Sequence, residues 1–139
     1  MSFLLDTNVV SEWVKPRPNP GVVAWLSEAD EDAVFISVMT LAELRYGIER
    51  MPAGNRRKRL DDWLCNALPI RFEERILPID VATADIWGKL MARRQAAGRP
   101  MSVADAFIAA TVEVHGLTLV TRNAVDFEPT LKGIINPWT

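Results

Sequence analysis

Very short apolar runs alternate along this chain with helical segments that carry their own start and stop signals, and this pattern sharply limits how it can fold. Phe3-Leu4-Leu5, Val34-Phe35-Ile36, Ile76-Leu77-Pro78-Ile79, residues 117–121 and Ile134-Ile135 are too short for helices and apolar enough for buried strands. Pro78 marks its strand as an edge. A short helix is expected over 9–14. Pro16, Pro18 and Pro20 make 15–20 a loop, because alternate prolines prevent helix and ladder alike. Asn19-Pro20 is a cap followed by a first-turn proline, and it opens a helix carrying Val22, Val23, Trp25 and Leu26. Ser37 or Thr40 caps a helix through Leu41, Leu44 and Ile48. Asn55 caps another, expected to run through Leu60, Trp63 and Leu64 and to end before Pro69. Asp80 opens a long helix through Ala84, Trp87, Leu90 and Met91 that Gly98 closes. Ser102 opens the next, with Val103, Ala106, Phe107, Ala110 and Val114 on one face and Gly116 as its stop.

Strands that alternate with helices call for a mostly parallel sheet covered on both faces, so the expected class is α/β. A length of 139 residues fits one domain over 1–139. In such sheets ligands bind at the carboxyl ends of the strands, at a topological switch point. Polar residues directly after a strand therefore carry the functional signal.

Asp6 follows the first strand. Taken alone, it is equally well read as a cap for the next helix. Glu43 sits at the edge of the Leu41, Leu44, Ile48 stripe, where an acid can look into a crevice, although an ordinary solvated glutamate fits the same spacing. Asp105 falls in the first turn of the Ser102 helix among small and apolar neighbours. The helix N-terminus favours a negative charge there by about 0.3–1 kcal/mol. A part-buried carboxylate with no basic residue near it in sequence still lacks a partner, and a metal ion would supply one. After the fourth strand come Asn123 and Asp126, which read singly as a turn former and a surface acid. Together these positions place acids around one end of the sheet, an arrangement tolerated mainly where a cation neutralises them.

Composition narrows the chemistry. Cys65 and His115 are the only cysteine and histidine, so neither a disulfide nor a Cys/His zinc cage can form. A catalytic metal must then sit on oxygen ligands, which favours Mg²⁺, with Mn²⁺ as a substitute. The formal charge is -2, against the basic balance common in nucleic-acid binders, but the arginines are clustered. Arg56-Arg57-Lys58-Arg59 forms one group, and Arg93, Arg94 and Arg99 another. Arg94 and Arg99 are the more attractive phosphate contacts, because they precede the Asp105 helix. Trp25, Trp63 and Trp87 read as core by their helical spacing, and Cys65 as packing. No apolar run is long enough to span a bilayer. The N-terminus has no basic segment before its apolar run, so no signal peptide and a cytoplasmic location are expected.

Leu4-Leu5-Asp6-Thr7-Asn8, Thr40-Leu41-Ala42-Glu43-Leu44, Ala104-Asp105-Ala106-Phe107-Ile108-Ala109-Ala110 and Val120-Thr121-Arg122-Asn123 resemble, in order, the four signature segments of PIN-domain proteins. The chain is most similar to the VapC-type toxins of bacterial toxin–antitoxin pairs, in their FitB-like branch, and its ending Asn136-Pro137-Trp138 also resembles that branch. The resemblance implies a three-layer sandwich around a five-stranded sheet, and a Mg²⁺-dependent endoribonuclease that cuts single-stranded RNA and blocks translation. It implies a small antitoxin partner and a homodimer, with no membrane. By motif, Asp6 and Asp105 are the prime metal ligands, with Glu43 completing the set. Glu43 or Asp126 would take the proton from an attacking water. Thr7, Asn8, Thr121 and Asn123, with Arg94 and Arg99, would contact substrate. The acid common after Thr-Arg in this family is Asn123 here, and either Asn123 or Asp126 completes the site. The rival classes are a non-catalytic PIN-fold module, a DNA nuclease, and a haloacid-dehalogenase phosphatase. The last needs a second aspartate where Asn8 stands.

Overall fold

Leu4 and Leu5 are both fully buried, yet they lie in different cores. Successive strand side chains point to opposite faces of a sheet, so a strand covered on both sides must feed two cores. The computed structural model, which describes residues 1–139, is built on this rule. Strand β1 (Phe3–Leu5) pairs in parallel with β2 (Val34–Ser37) and with β4 (Thr118–Val120). The register sets Leu4 beside Phe35 and Leu119, and all three face the first core. It sets Leu5 beside Val120, and both face the second core. The edges are β3 (Ile76–Leu77) on β2 and β5 (Ile134–Ile135) on β4, also parallel. The sheet order is β3-β2-β1-β4-β5. Each fully buried leucine contributes about 1.5–3 kcal/mol of transfer free energy, so the central strands anchor both layers.

On the second core's face lie α1 (Thr7–Glu12), α2 (Pro20–Glu28) and α3 (Val38–Glu49), then α4 (Asn55–Asp62) and α5 (Leu68–Phe72). On the other face α6 (Val81–Ala96) packs along α7 (Val103–His115). Ala106, Ala109 and Ala110 are fully buried, and their small side chains let the helix backbone approach the sheet closely. Trp87 stacks on Phe107 at 5.0 Å between ring centres. The expected caps at Asn19, Asp80 and Ser102 form, each accepting backbone N–H groups. Gly116 ends α7 at φ 63, a left-handed conformation that costs glycine nothing. A short α8 (Ala124–Phe127), not anticipated from the sequence, follows β4.

Four expectations need correction. Gly54, not Asn55, is the residue before α4, while α3 is capped by Ser37, the first of the two expected alternatives. The helix does not stop before Pro69. A π-helical segment at Trp63–Ala67 leads into α5, where Pro69 occupies the first turn and its missing N–H leaves no bond unmade. Trp25, Trp63 and Trp87 are half-buried along the margins of the cores, not inside them. Cys65 is exposed beside the Arg45 guanidinium.

The chain end is strapped to α2. Asn19 Oδ1 accepts the Thr139 N–H at 3.2 Å, and Asn19 Nδ2 donates to the Thr139 carbonyl at 3.1 Å. Gly21 permits this contact, since a Cβ there would stand 2.1 Å from the Pro137 carbonyl oxygen. Gly21→Ala is therefore expected to displace the tail and cost about 1–3 kcal/mol, read as a lowered thermal midpoint. An unchanged midpoint would show that the strap carries no stability.

Candidate active site

The strand order places a switch point at β1 and β4. The chain crosses from β1 to β2 and β3 on one side, then returns past β1 to β4 on the other. The residues immediately after these two strands are Asp6 and Thr121, and both are buried. Asp6 N–H continues the ladder by donating to the Val120 carbonyl at 2.9 Å. Its carboxylate is held from two sides. Thr121 Oγ1 donates to Oδ2 at 2.8 Å, and the Thr7 N–H donates to Oδ1 at 2.8 Å. Asp6 thus caps α1 and stands at the switch point at once, so the two readings of this residue are compatible.

Thr7 joins the next acid to this point. Its hydroxyl lies 2.7 Å from Glu43 Oε1, to which it donates, and 3.1 Å from the Thr40 hydroxyl. Thr40 is fully buried, and sequence reasoning had weighed it only as a cap. Its spacing of three from Glu43 puts both on one face of α3, and this was the available signal. Asn8 accepts the Arg122 N–H at 3.3 Å, and Thr121 Oγ1 accepts the Asn123 N–H at 3.0 Å. The loop after β4 is therefore laced to the loop after β1.

The electrostatics follow from this crowding. Burial pushes the Asp6 carboxyl from 3.8 up to about 6, against the pull of Thr121 and the Thr7 N–H, and the negative charges of Asp105 and Glu43 add to the rise. Asp105, half-buried in the first turn of α7, is also raised, first by burial and then by Asp126, with Ser102 opposing. Asp126 is exposed on α8 and so neighbours Asp105 electrostatically, while Asn123 engages the loop through its backbone.

The acids thus form a chain of like charges, Glu43 to Asp6 to Asp105 to Asp126. No three Asp, Glu, Cys or His side chains approach closely enough to enclose an ion by themselves. A hard divalent ion that keeps its own waters does not need such a cage. Mg²⁺ holds its waters and takes only one or two protein carboxylates alongside substrate phosphate. The Asp6 carboxylate is buried, its pKa is raised, and its neighbours are hydroxyl, amide and backbone N–H groups with no basic side chain, so Asp6 and Asp105 are the residues that could hold such an ion.

The remaining candidates separate. Arg94 is committed within the fold. Its Nε donates to the Arg99 carbonyl at 2.7 Å, and Nη1 reaches the Asp126 carbonyl at 3.2 Å and Thr130 Oγ1 at 2.9 Å. Arg99 is exposed. Sequence reasoning also passed over Glu12, a buried acid outside the set. Burial works to raise its pKa, but Lys15 and the Asn19 N–H outweigh it and hold the carboxyl below its usual range. Glu12 therefore fastens the 15–20 loop and is not an acid of the crevice.

The architecture and the acid chain together define a PIN fold, and the comparisons agree. A family model described as PIN domain matches residues 3–128. The chain is 38% identical over 136 residues to "VapC ribonuclease Y4jK" of Sinorhizobium fredii, covering 98% of this chain and 97% of that one. It is 38% identical over 136 residues to "Toxin FitB" of Neisseria gonorrhoeae, covering 98% of each. A crystal structure of FitAcB from Neisseria gonorrhoeae superposes with a TM-score of 0.90 at 38% identity, covering 98% of both chains. The chain belongs to the PIN-domain family, among its VapC- and FitB-type toxins. No helix is long and apolar enough to cross a membrane.

Proposed function

We propose that this chain is the toxin of a type II toxin–antitoxin pair, a Mg²⁺-dependent endoribonuclease that cuts single-stranded regions of RNA, stops translation, and is silenced by a small cognate antitoxin. The observation that carries the reading is Asp6, a buried carboxylate pinned at the switch point with two like charges beside it. The printed names of the relatives, a ribonuclease and a toxin, support the reaction class. Mn²⁺ is the expected substitute ion. A homodimer is expected from the family.

A bound divalent ion supplies a water of lowered pKa and positive charge for the phosphate oxygens. The chain's own residues do the rest. Asp6 and Asp105 would hold the ion, and Thr121 and the Thr7 N–H fix the Asp6 oxygens in direction. Thr7 orients Glu43 by donating to one of its oxygens, leaving the other oxygen to take a proton. Asp126 is the second acid placed to accept one. The bonds from Arg122 to Asn8 and from Thr121 to Asp6 keep the segments after β1 and β4 from drifting apart. A shift of about 1 Å in such a constellation can cost a hundredfold in rate.

The test is one preparation assayed in two ways. Purified chain is expected to cleave total RNA with Mg²⁺ and to stop when EDTA is added. Its induction is expected to arrest growth unless the neighbouring small gene is co-expressed. Cleavage that persists in EDTA would remove the metal from the reading, and preference for DNA over RNA would replace the substrate.

A further inference from the structure

The acids at the switch point repel a phosphate backbone, so an RNA held there must be gripped elsewhere on the chain. The Arg94 guanidinium, the first candidate by position, has three hydrogen bonds within the fold. The run Arg56-Arg57-Lys58-Arg59 divides differently. Arg57 is tied down, donating to the Met51 carbonyl at 3.1 Å and pairing with Glu49. Arg56 and Arg59 have no carboxylate partner in the chain, whose ion pairs are Lys15–Glu12, Arg45–Glu49, Arg45–Asp61, Arg57–Glu49, Arg71–Glu31 and Lys89–Asp85.

Three residues apart on α4, Arg56 and Arg59 share one helix face. They line a cavity of about 320 Å³ whose other walls are Val14, Pro16 and Leu60. A concave site with two uncompensated guanidinium groups and apolar walls is matched to an anion that also presents a flat or apolar body. Guanidinium forks bind phosphate oxygens in pairs, and the walls offer a base or ribose something to lie against. The cavity is also within reach of the acids. Helix α1 starts directly after Asp6, and the chain just beyond its end supplies Val14, about 12 Å away at the helical rise per residue.

We propose that Arg56 and Arg59 form a second phosphate subsite, which holds single-stranded RNA a few nucleotides from the bond that is cut. The proposal rests on the ribonuclease reading above. It names the part of the surface that gives substrate affinity, while the acid chain supplies the reaction. Because such contacts release condensed counterions, the subsite has a salt signature as well as an affinity.

The experiment measures binding of a fluorescent single-stranded oligoribonucleotide to the full chain in EDTA, across a series of KCl concentrations. For Arg56→Gln with Arg59→Gln, affinity is expected to fall at least tenfold at moderate salt. The slope of log affinity against log salt is expected to be shallower by about 1.4, at about 0.7 per lost contact to a single strand. The charge-matched control, Lys89→Gln with Lys132→Gln, removes two exposed cations elsewhere and is expected to keep the parent slope. An unchanged slope in the arginine variant overturns the subsite, including the case where that variant instead loses affinity for an acidic protein partner. An equal change in the control also overturns it, since net charge alone would then explain the loss. A parent chain that binds no RNA in EDTA also overturns the subsite, whereas the ribonuclease reading fails separately, when the parent cuts no RNA with Mg²⁺, so the two failures are distinguishable.

Discussion

Asp6→Asn is expected to give a folded chain that cleaves RNA at least about a thousandfold more slowly than the parent. The substitution keeps size and shape, and the amide oxygen can still accept from Thr121 or from the Thr7 N–H, which hold the carboxylate in the parent. What it removes is the negative charge at the one fully enclosed acid of the set, which is 5% exposed. A metal ion contributes several kcal/mol of charge stabilisation to phosphoryl chemistry, and about 4 kcal/mol is a factor of a thousand. The loss should therefore appear in the rate of a single turnover, with the far-ultraviolet circular dichroism of the parent retained. Asp105→Asn should fall in the same direction. A purified, folded Asp6→Asn chain that cuts RNA with Mg²⁺ at the parental rate would remove Asp6 from the site.

Local signals made much of the fold legible. Asn19-Pro20, Asp80, Ser102 and Gly116 each satisfy or release a backbone group whatever surrounds them, so helix ends at these points could be read directly. The strands were legible because both-face burial leaves no polar alternation, as Leu4 and Leu5 show. The π segment before Pro69 was not, because a widened turn has no residue signature and here only defers the proline to a position where it fits. Among the candidate residues, Asp6 and Asp105 stood out by their place after a strand and at a helix start, and the fold places both among the crowded acids. The committed state of Arg94 could not be read, because its partners Asp126 and Thr130 lie more than thirty residues away and meet it only in the folded chain. The unpaired state of Arg56 beside the paired Arg57 is likewise a fact of three dimensions.

The second large effect is on stability, and its sign follows from Asp6. In the unfolded chain this carboxyl releases its proton near the ordinary value of 3.8, whereas in the fold burial holds the proton on until about 6. Between those values the folded state binds more protons than the unfolded state, so stability falls as pH rises through the window. Above the folded value the full penalty applies, about 3 kcal/mol at 1.36 kcal/mol for each unit of pKa. Asp105 is shifted in the same direction by burial and by Asp126. The lowered carboxyls of Glu12, Asp61 and Asp80 act with the opposite sign and lose their contribution only as pH falls below the ordinary carboxylate range. The metal-free chain is therefore expected to have a higher thermal midpoint near pH 5 than at pH 7.5, by several degrees. On the proposed reading Mg²⁺ would compete with the proton for the same oxygens, so millimolar Mg²⁺ should raise the midpoint at pH 7.5 and do little at pH 5. In Asp6→Asn both dependences should shrink, and the metal-free variant should melt above the parent at pH 7.5. A metal-free midpoint that is flat or rising from pH 5 to 7.5 would mean that the Asp6 carboxylate is already neutralised within the fold. The chain would then have no use for a cation at the switch point.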